Sequence, residues 1–394
     1  MKAVILAAGE GKRLRPFTET MPKVMIPVTN KPILEHVFDA LKNTGIDEVF
    51  LVVGYKKEVI KEYFKEYKDI KITYVEQDKQ LGTAHALLQA KKHIEEPFIV
   101  IPGDNIIDQK SIIKLIEDKS EYSLLIKEHP QPSKYGVVFI EKEKLRRIVE
   151  KPPEEIGEFI STGIYKFPKN VFNVIERISS EGIYSLSTVV QNLIDKGKII
   201  NTIRTDAWMD IVYPWDLIKV NEVMIHDTQS TKGGVIEKNV TIKGDVFIGK
   251  DTKIYSGCYI VGPVVIGESC EIGPNVCIFP STTIGNNSVI HPFSEIRNSV
   301  IMDDTHIGSN SFLINSIIAR GNIIENNFSS TSGKNIIEIE GEFKKVDKIG
   351  AMIGEDCRIG SYVVVDPGVI IGRKCKITSM KRIRKNISSN TEVM

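Results

Sequence analysis

Apolar positions obey one rule up to about residue 225 and another beyond it. In the first part, short apolar runs at 3–6, 49–53 and 72–75 alternate with stretches of helical spacing at 32–43 and 56–65. A further helical stretch, 84–93, opens at Thr83, and the apolar run 98–101 ends in Pro102-Gly103-Asp104-Asn105. Runs of four or five β-prone residues, each followed by a helix-period segment, predict crossover units on a parallel sheet. Asn30 ahead of Pro32 reads as a helix cap with an early proline, and Leu81-Gly82-Thr83 as a helix start suited to an anion.

From residue 236 the period changes to six. Isoleucine stands at 236, 242, 248, 254, 260, 266, 272, 278, 284, 290 and 296, with a small or β-branched residue four positions after each. After a one-residue slip the pattern continues at Ile301, Ile307 and Leu313, breaks over 329–348, and resumes at Ile353, Ile359, Val365, Ile371 and Ile377. Such hexads predict a parallel β-helix, three per triangular coil, with the isoleucines filling the axis. The break predicts a long projecting loop. Residues 226–235, with Thr228, Ser230 and Gly233-Gly234, read as a linker. The expected organisation is a first domain at 1–225, the linker, and a β-helix at 236–394. A chain of 394 residues also exceeds what one hydrophobic core usually serves, so two domains are the starting expectation.

Composition narrows the function. With 52 basic and 51 acidic residues there is no net field to gather nucleic acid or anionic membrane, so charge recognition must be local. No apolar run approaches the roughly 20 residues that span a bilayer, and residues 3–6 read as a buried strand, so the expected location is the cytoplasm. The five cysteines all lie beyond residue 257 without CxxC or Cys/His spacing, which argues against zinc and against a disulfide framework. Cys258, Cys270, Cys357 and Cys375 fall on the small inward position of the hexads, where packing accounts for them as free thiols.

Chemistry concentrates in residues 6–16, Leu-Ala-Ala-Gly-Glu-Gly-Lys-Arg-Leu-Arg-Pro, followed by Pro22-Lys23. Small residues at 7, 8, 9 and 11 let backbone N–H groups approach an anion, and Lys12, Arg13, Arg15 and Lys23 supply positive charge. The loop fits neither the Walker spacing nor the dinucleotide fingerprint, and on its own serves equally well as a solvated turn. Ligands of open α/β sheets gather at the carboxyl ends of the strands, where this loop, residues 77–83 and Asp104 would lie. Asp104 and Asp210, the latter set among apolar residues in Trp208-Met209-Asp210-Ile211, are candidate ligands for a hard cation, although a lone Asp more often caps a helix. His36, His85, His93 and His129 have no carboxylate pattern around them and read as structural.

Eight motifs in order carry a resemblance: the loop 7–16, Pro22-Lys23, Gln80-Leu81-Gly82-Thr83-Ala84, Gly103-Asp104, Tyr135-Gly136-Val137-Val138, Val149-Glu150-Lys151-Pro152, Thr162-Gly163-Ile164-Tyr165 and Trp208-Met209-Asp210-Ile211. Over about the first 225 residues the chain resembles the sugar-1-phosphate nucleotidylyltransferases. The resemblance implies a Rossmann-like domain with a mixed, mostly parallel sheet, catalytic Arg13 and Lys23 on phosphates, and nucleotide binding by Leu6, Ala8, Gly9, Gly11, Gln77, Gly82 and Thr83. It further implies Mg²⁺ on Asp104 and Asp210, and the sugar phosphate at Gly136, Glu150, Lys151 and Thr162. A phosphate oxygen of the sugar 1-phosphate would attack the α-phosphorus of UTP or dTTP in line and release pyrophosphate. That chemistry asks for positioning and charge neutralisation rather than a covalent intermediate.

The hexads resemble left-handed β-helix domains, which in relatives assemble trimers or transfer acyl groups. The two domains together are similar to bifunctional enzymes that acetylate glucosamine 1-phosphate and then uridylylate it, which would add acetyl-CoA as a cofactor. The Pro-His-Leu-Ser-Tyr segment of archaeal members is replaced here by Gly308-Ser309-Asn310-Ser311-Phe312, leaving His306 and His291 as candidate bases and the basic run 381–385 as a candidate grip on coenzyme A. Ser161, where enzymes of N-acetylated sugars often carry asparagine, argues against N-acetylglucosamine. A third possibility is a non-catalytic regulatory homologue, against which Arg13, Lys23, Asp104 and Asp210 stand together.

Overall fold

Nine strands build one mixed sheet in the first part of the chain: β1 (Lys2–Ala7), β2 (Glu48–Val53), β3 (Lys71–Glu76), β4 (Phe98–Pro102), β5 (Tyr122–Glu128), β6 (Gly136–Glu141), β7 (Lys144–Glu150), β8 (Phe159–Phe167) and β9 (Ile200–Arg204). Their order is β3-β2-β1-β4-β8-β5-β9-β7-β6. The first four pair in parallel, β8 runs antiparallel to both β4 and β5, and β9 is parallel to β5. This is a computed structural model that describes residues 1–394, and chain contacts divide it into two units. The first holds Met1–Glu10, Met21–Met25 and Pro32–Asp210; the second holds Gly11–Thr20, Ile26–Lys31 and Ile211–Met394.

The central strands are apolar on both faces because both are covered, as in most parallel sheets. Val4, Val52 and Val100 face one core, shared with α3 (Thr83–Gln89), α5 (Val171–Ser180) and α6 (Leu186–Asp195). Ile5, Leu51 and Ile101 face the other, shared with α1 (Ile33–Leu41), α2 (Lys57–Tyr63) and α4 (Gln109–Glu117). Side chains such as Phe38 and Phe172, both fully buried, each contribute about 1.5–3 kcal/mol relative to exposure.

Two helix starts differ from the sequence expectation. Asn30 does not cap α1. It sits at φ 64° and donates its amide to the Ile284 carbonyl, while Pro32 precedes the first helical residue. At the α3 start one of the first-turn amides is already taken, the Ala84 N–H donating to the Tyr184 carbonyl at 2.7 Å. That helix also ends early, at Gln89, and a 3-10 turn, Lys91–His93, completes the stretch.

In the second unit, α7 (Asp216–Met224) leads into three parallel sheets of nine, eight and seven short strands, the faces of a β-helix. Ile236, Ile254, Ile272 and Ile290 stack in register along one face, and Ile242, Ile260, Ile278 and Ile296 along another. Residues 233–235 already run along the first coil, with the Gly233 N–H on the Ile248 carbonyl.

The slip in the repeat occurs twice. Ile284 pairs with Ile301 and Ile301 with Ile318, steps of 17 residues where Ile266 to Ile284 takes 18. The pattern therefore runs on through Ile318, Ile324 and Ser330 instead of stopping at Leu313. The expected loop is a hairpin, Gly333–Ile339 against Glu342–Ile349, turning through Glu340 and Gly341 at positive φ. Two left-handed residues suit such a turn because they match the twist of the flanking strands. All five cysteines are free, and four are buried; burial pushes the Cys357 thiol up to about 12, which keeps it protonated.

Candidate active site

The carboxyl ends of the first four strands are tied together by main-chain bonds within the first unit. The Gly103 N–H donates to the Leu6 carbonyl at 2.8 Å, Tyr55 N–H to Ala8 O at 3.1 Å, and Gln77 N–H to Val53 O at 2.8 Å. A side chain on Gly54 would meet Ala8 at 3.0 Å, so glycine permits that close approach. Gly9 faces open space and is exposed, leaving its backbone reachable.

Asp104 follows β4, and its Oδ2 lies 2.5 Å from Lys23 Nζ. The next residues, Asn105–Ile106, form a short antiparallel ladder with Met209–Asp210, in which Asp210 pairs with Asn105. This ladder brings together two carboxylates 106 positions apart in sequence. Asn105 is 4 % exposed, and its amide links the two strands by donating to Asp104 Oδ1 at 3.1 Å while accepting from Trp208 Nε1 at 2.7 Å. Tyr135 adds a second link, donating its hydroxyl to Asp210 Oδ1 at 2.8 Å with its ring edge-on to Trp208. Lys127 Nζ donates to the Trp208 carbonyl at 2.6 Å. No third His, Cys, Asp or Glu joins a metal-binding cluster. Two carboxylates with an ammonium group suit a hard cation that completes its shell with substrate oxygens and water.

Tyr135 also leads to the residues expected to hold a sugar phosphate. Its carbonyl accepts the Lys151 N–H at 2.9 Å, and Gly136 pairs with Glu150 across the β6–β7 ladder. A side chain at Gly136 would lie 3.2 Å from Glu150 Oε2, which in turn accepts a 2.5 Å bond from Ser187 Oγ. Thr162 is placed differently: it is buried and donates its hydroxyl to the Leu125 carbonyl at 2.7 Å, at the irregularity in the β8–β5 ladder. Nearby, burial pushes the Tyr165 hydroxyl up to about 12, so it stays a neutral partner for Ser161 Oγ at 3.1 Å.

The segment expected to read the base forms a third group. Gln77 is 4 % exposed and its amide faces His85 Nδ1 at 2.8 Å, so His85 orients it from the first turn of α3. Gly82 stands at φ 152°, and a side chain there would come 2.5 Å from the Tyr184 carbonyl. Thr83 Oγ1 accepts the Leu186 N–H at 3.0 Å.

Gly11 and Arg13 belong to the second unit. Gly11, at φ 71°, opens a 3-10 turn over Lys12–Leu14 that carries Lys12 and Arg13. Sequence reasoning missed Asn105, Tyr135 and His85 as supporting residues. Tyr135 lay inside a quoted motif and Asn105 beside Asp104, but their partners are 75 and 103 positions away.

A mixed α/β sheet with paired acids at its strand ends, followed by hexapeptide coils, defines a nucleotide-handling transferase. The chain belongs to the nucleotidyl transferase family, whose model matches residues 2–226, and within it to the sugar-1-phosphate nucleotidylyltransferases. A bacterial transferase hexapeptide model (six repeats) matches 350–385, and a GMPPB C-terminal domain model matches 260–337. The chain is similar to the bifunctional protein GlmU of Methanococcus maripaludis strain C7, 39 % identical over all of this chain and 97 % of the relative. It is also similar to the UTP–glucose-1-phosphate uridylyltransferase AglF of Haloferax volcanii, 40 % identical over 58 % of this chain and 98 % of the relative. Among solved structures it resembles a putative glucose-1-phosphate thymidylyltransferase of Bacillus anthracis in complex with a sucrose, at 26 % identity and TM-score 0.54, over 59 % of this chain and 98 % of the other.

Proposed function

We propose that the transfer runs from UTP or dTTP to a sugar 1-phosphate at Asp104 and Asp210, the carboxylates that would hold Mg²⁺. The ladder that sets Asp210 opposite Asn105, next to Asp104, is the observation that carries this reading. Bound there, the cation would neutralise charge on the phosphates as the α-phosphorus is attacked. Lys23 holds Asp104 in place, and its ammonium group would supply further positive charge to the triphosphate. Arg13 serves the same charge, Leu6, Ala8, Gly9 and Gly11 offer close backbone, and Gln77, Gly82 and Thr83 frame the base. Glu150 and Lys151 take the sugar hydroxyls and phosphate beside Gly136, whereas Thr162 contributes through the turn that its buried hydroxyl fixes.

The test is a matrix of nucleoside triphosphates and sugar 1-phosphates, with and without Mg²⁺, read as pyrophosphate release. Activity with UTP or dTTP that needs the metal is expected; no release from any pair would end the reading. Full-length likeness to the bifunctional GlmU favours a second activity, acetyl transfer in the β-helix. His291 and His306, exposed neighbours on one face of the coil, are the bases available. Release of free coenzyme A from acetyl-CoA and glucosamine 1-phosphate, lost in His291→Ala or His306→Ala, would support it. A homo-oligomer built through the coils, most simply a trimer, and a cytoplasmic location complete the proposal.

A further inference from the structure

Within the first unit, the Gln77 side chain ends in one acceptor and one donor group, and its neighbours fix which of them turns inward. Its Nε2 lies 2.8 Å from His85 Nδ1 and 3.4 Å from the Gly82 carbonyl. A carbonyl offers only lone pairs, so the amide NH2 must face it; turned round, Oε1 would set two acceptors against each other. His85 Nδ1 therefore accepts from Gln77, and the ring proton stands on Nε2. The far side of the ring agrees: the Gln89 amide sits farther off, 3.3 Å from His85 Nε2, and donates instead to the His85 carbonyl at 3.0 Å. The Tyr184 ring packs edge-on against the imidazole, with centroids 5.8 Å apart. Gln77 is 4 % exposed, yet its Oε1 takes no hydrogen bond from the protein and is not sealed from solvent. The acceptor end of the amide is thus the one a ligand can reach.

We infer that His85 is a positioning residue that sets base specificity: by taking an N–H of Gln77 it leaves Oε1 to the nucleotide, so the pocket selects a base with a ring N–H. Uracil and thymine carry that N–H at N3, whereas cytosine has a bare acceptor nitrogen there and would face Oε1 with no proton between them. This rests on the reading that places the base at Gln77, Gly82 and Thr83, and adds the group that chooses among bases. Pyrophosphate release by the full-length protein, with the sugar 1-phosphate that the matrix above selects, is compared for UTP, dTTP and CTP. The better of UTP and dTTP should exceed CTP in kcat/KM by at least about 100-fold. His85→Leu, which removes the acceptor, should narrow that ratio about tenfold and leave the KM for the sugar 1-phosphate unchanged. His85→Asn, whose Oδ1 can stand where Nδ1 stood, should keep the wild-type ratio. A ratio unchanged by leucine, an equal loss for all three nucleotides, failure of asparagine to keep the ratio, or a wild-type preference for CTP would overturn the inference. The imidazole ¹⁵N shifts of the wild type in mildly alkaline solution test it without any variant: a proton on Nε2 supports it and a proton on Nδ1 overturns it. Calorimetric binding of the three nucleotides without sugar phosphate separates this inference from the transfer reading. Preference for UTP or dTTP that His85→Leu weakens, in a protein that releases no pyrophosphate, would fail the transfer reading and keep His85 in its role. Equal transfer from all three nucleotides would do the reverse.

Discussion

Asn105→Ala isolates the link between the two acidic strands. Asn105 is nearly fully buried and makes both of its bonds inside the protein, one to the Trp208 indole and one to Asp104. Removing the amide leaves the Trp208 N–H, itself 3 % exposed, without a partner, at about 1–3 kcal/mol. Asp104 loses a charge-assisted bond but keeps Lys23 and some water, since its side chain is 32 % exposed, so this loss is the smaller. The two losses share one side chain and do not add fully; together they amount to about 2–4 kcal/mol. For units of this size that is a drop of roughly 4–16 °C in melting temperature. The Mg²⁺ concentration for half-maximal pyrophosphate release should rise about tenfold, because the two carboxylates no longer share a fixed partner. Asn105→Asp supplies the control. It keeps an acceptor for the indole but faces Asp104 with a second negative charge, so the new carboxyl's pKa rises and stability should recover as pH falls and it protonates. A melting temperature within 1–2 °C of wild type (roughly half a kcal/mol) for Asn105→Ala, with an unchanged Mg²⁺ response, would refute the argument.

Three further outcomes follow from the same geometry. Asp210→Asn keeps an acceptor for Tyr135 and so should melt as the wild type does while losing at least about 100-fold in rate; wild-type turnover would remove Asp210 as a metal ligand. Gly82→Ala places a methyl group 2.5 Å from the Tyr184 carbonyl at φ 152°, so α3 must shift, at a cost of about 1–3 kcal/mol; the KM for the triphosphate should rise while that for the sugar phosphate holds. Glu48 is held down to about 2, first by its hydrogen bond to Lys71 and then by Lys2. A depressed carboxylate pKa gives stability that is complete above the unfolded value near 4.5 and is lost as pH falls towards 2, so Glu48→Gln should flatten the acid unfolding curve in that window alone. With Lys71 largely exposed, the effect at neutral pH should be under about 1 kcal/mol, and a larger one would contradict the assignment.

What could be read from residues alone was what repeats or what stays local. Eleven isoleucines in a six-residue period announce the coil because every coil repeats the same packing problem, and the structure stacks them in register. The second slip, between Leu313 and Ile318, escaped because one five-residue step looks like noise until the pairing of Ile301 with Ile318 gives it a partner. The acids show the same divide. Asp104 and Asp210 could be chosen by type and by the motifs around them, but nothing local in Asn105 or Tyr135 says that one will join Trp208 to Asp104 and the other will hold Asp210. Those bonds exist only once the sheet brings positions 105 and 210 opposite each other. Asn30 makes the converse point: by local rules it should cap α1, yet a carbonyl at position 284 claims its amide. A side chain with two good partners is decided by the fold, and that is why the supporting residues of this site were hidden while its charged ones were not.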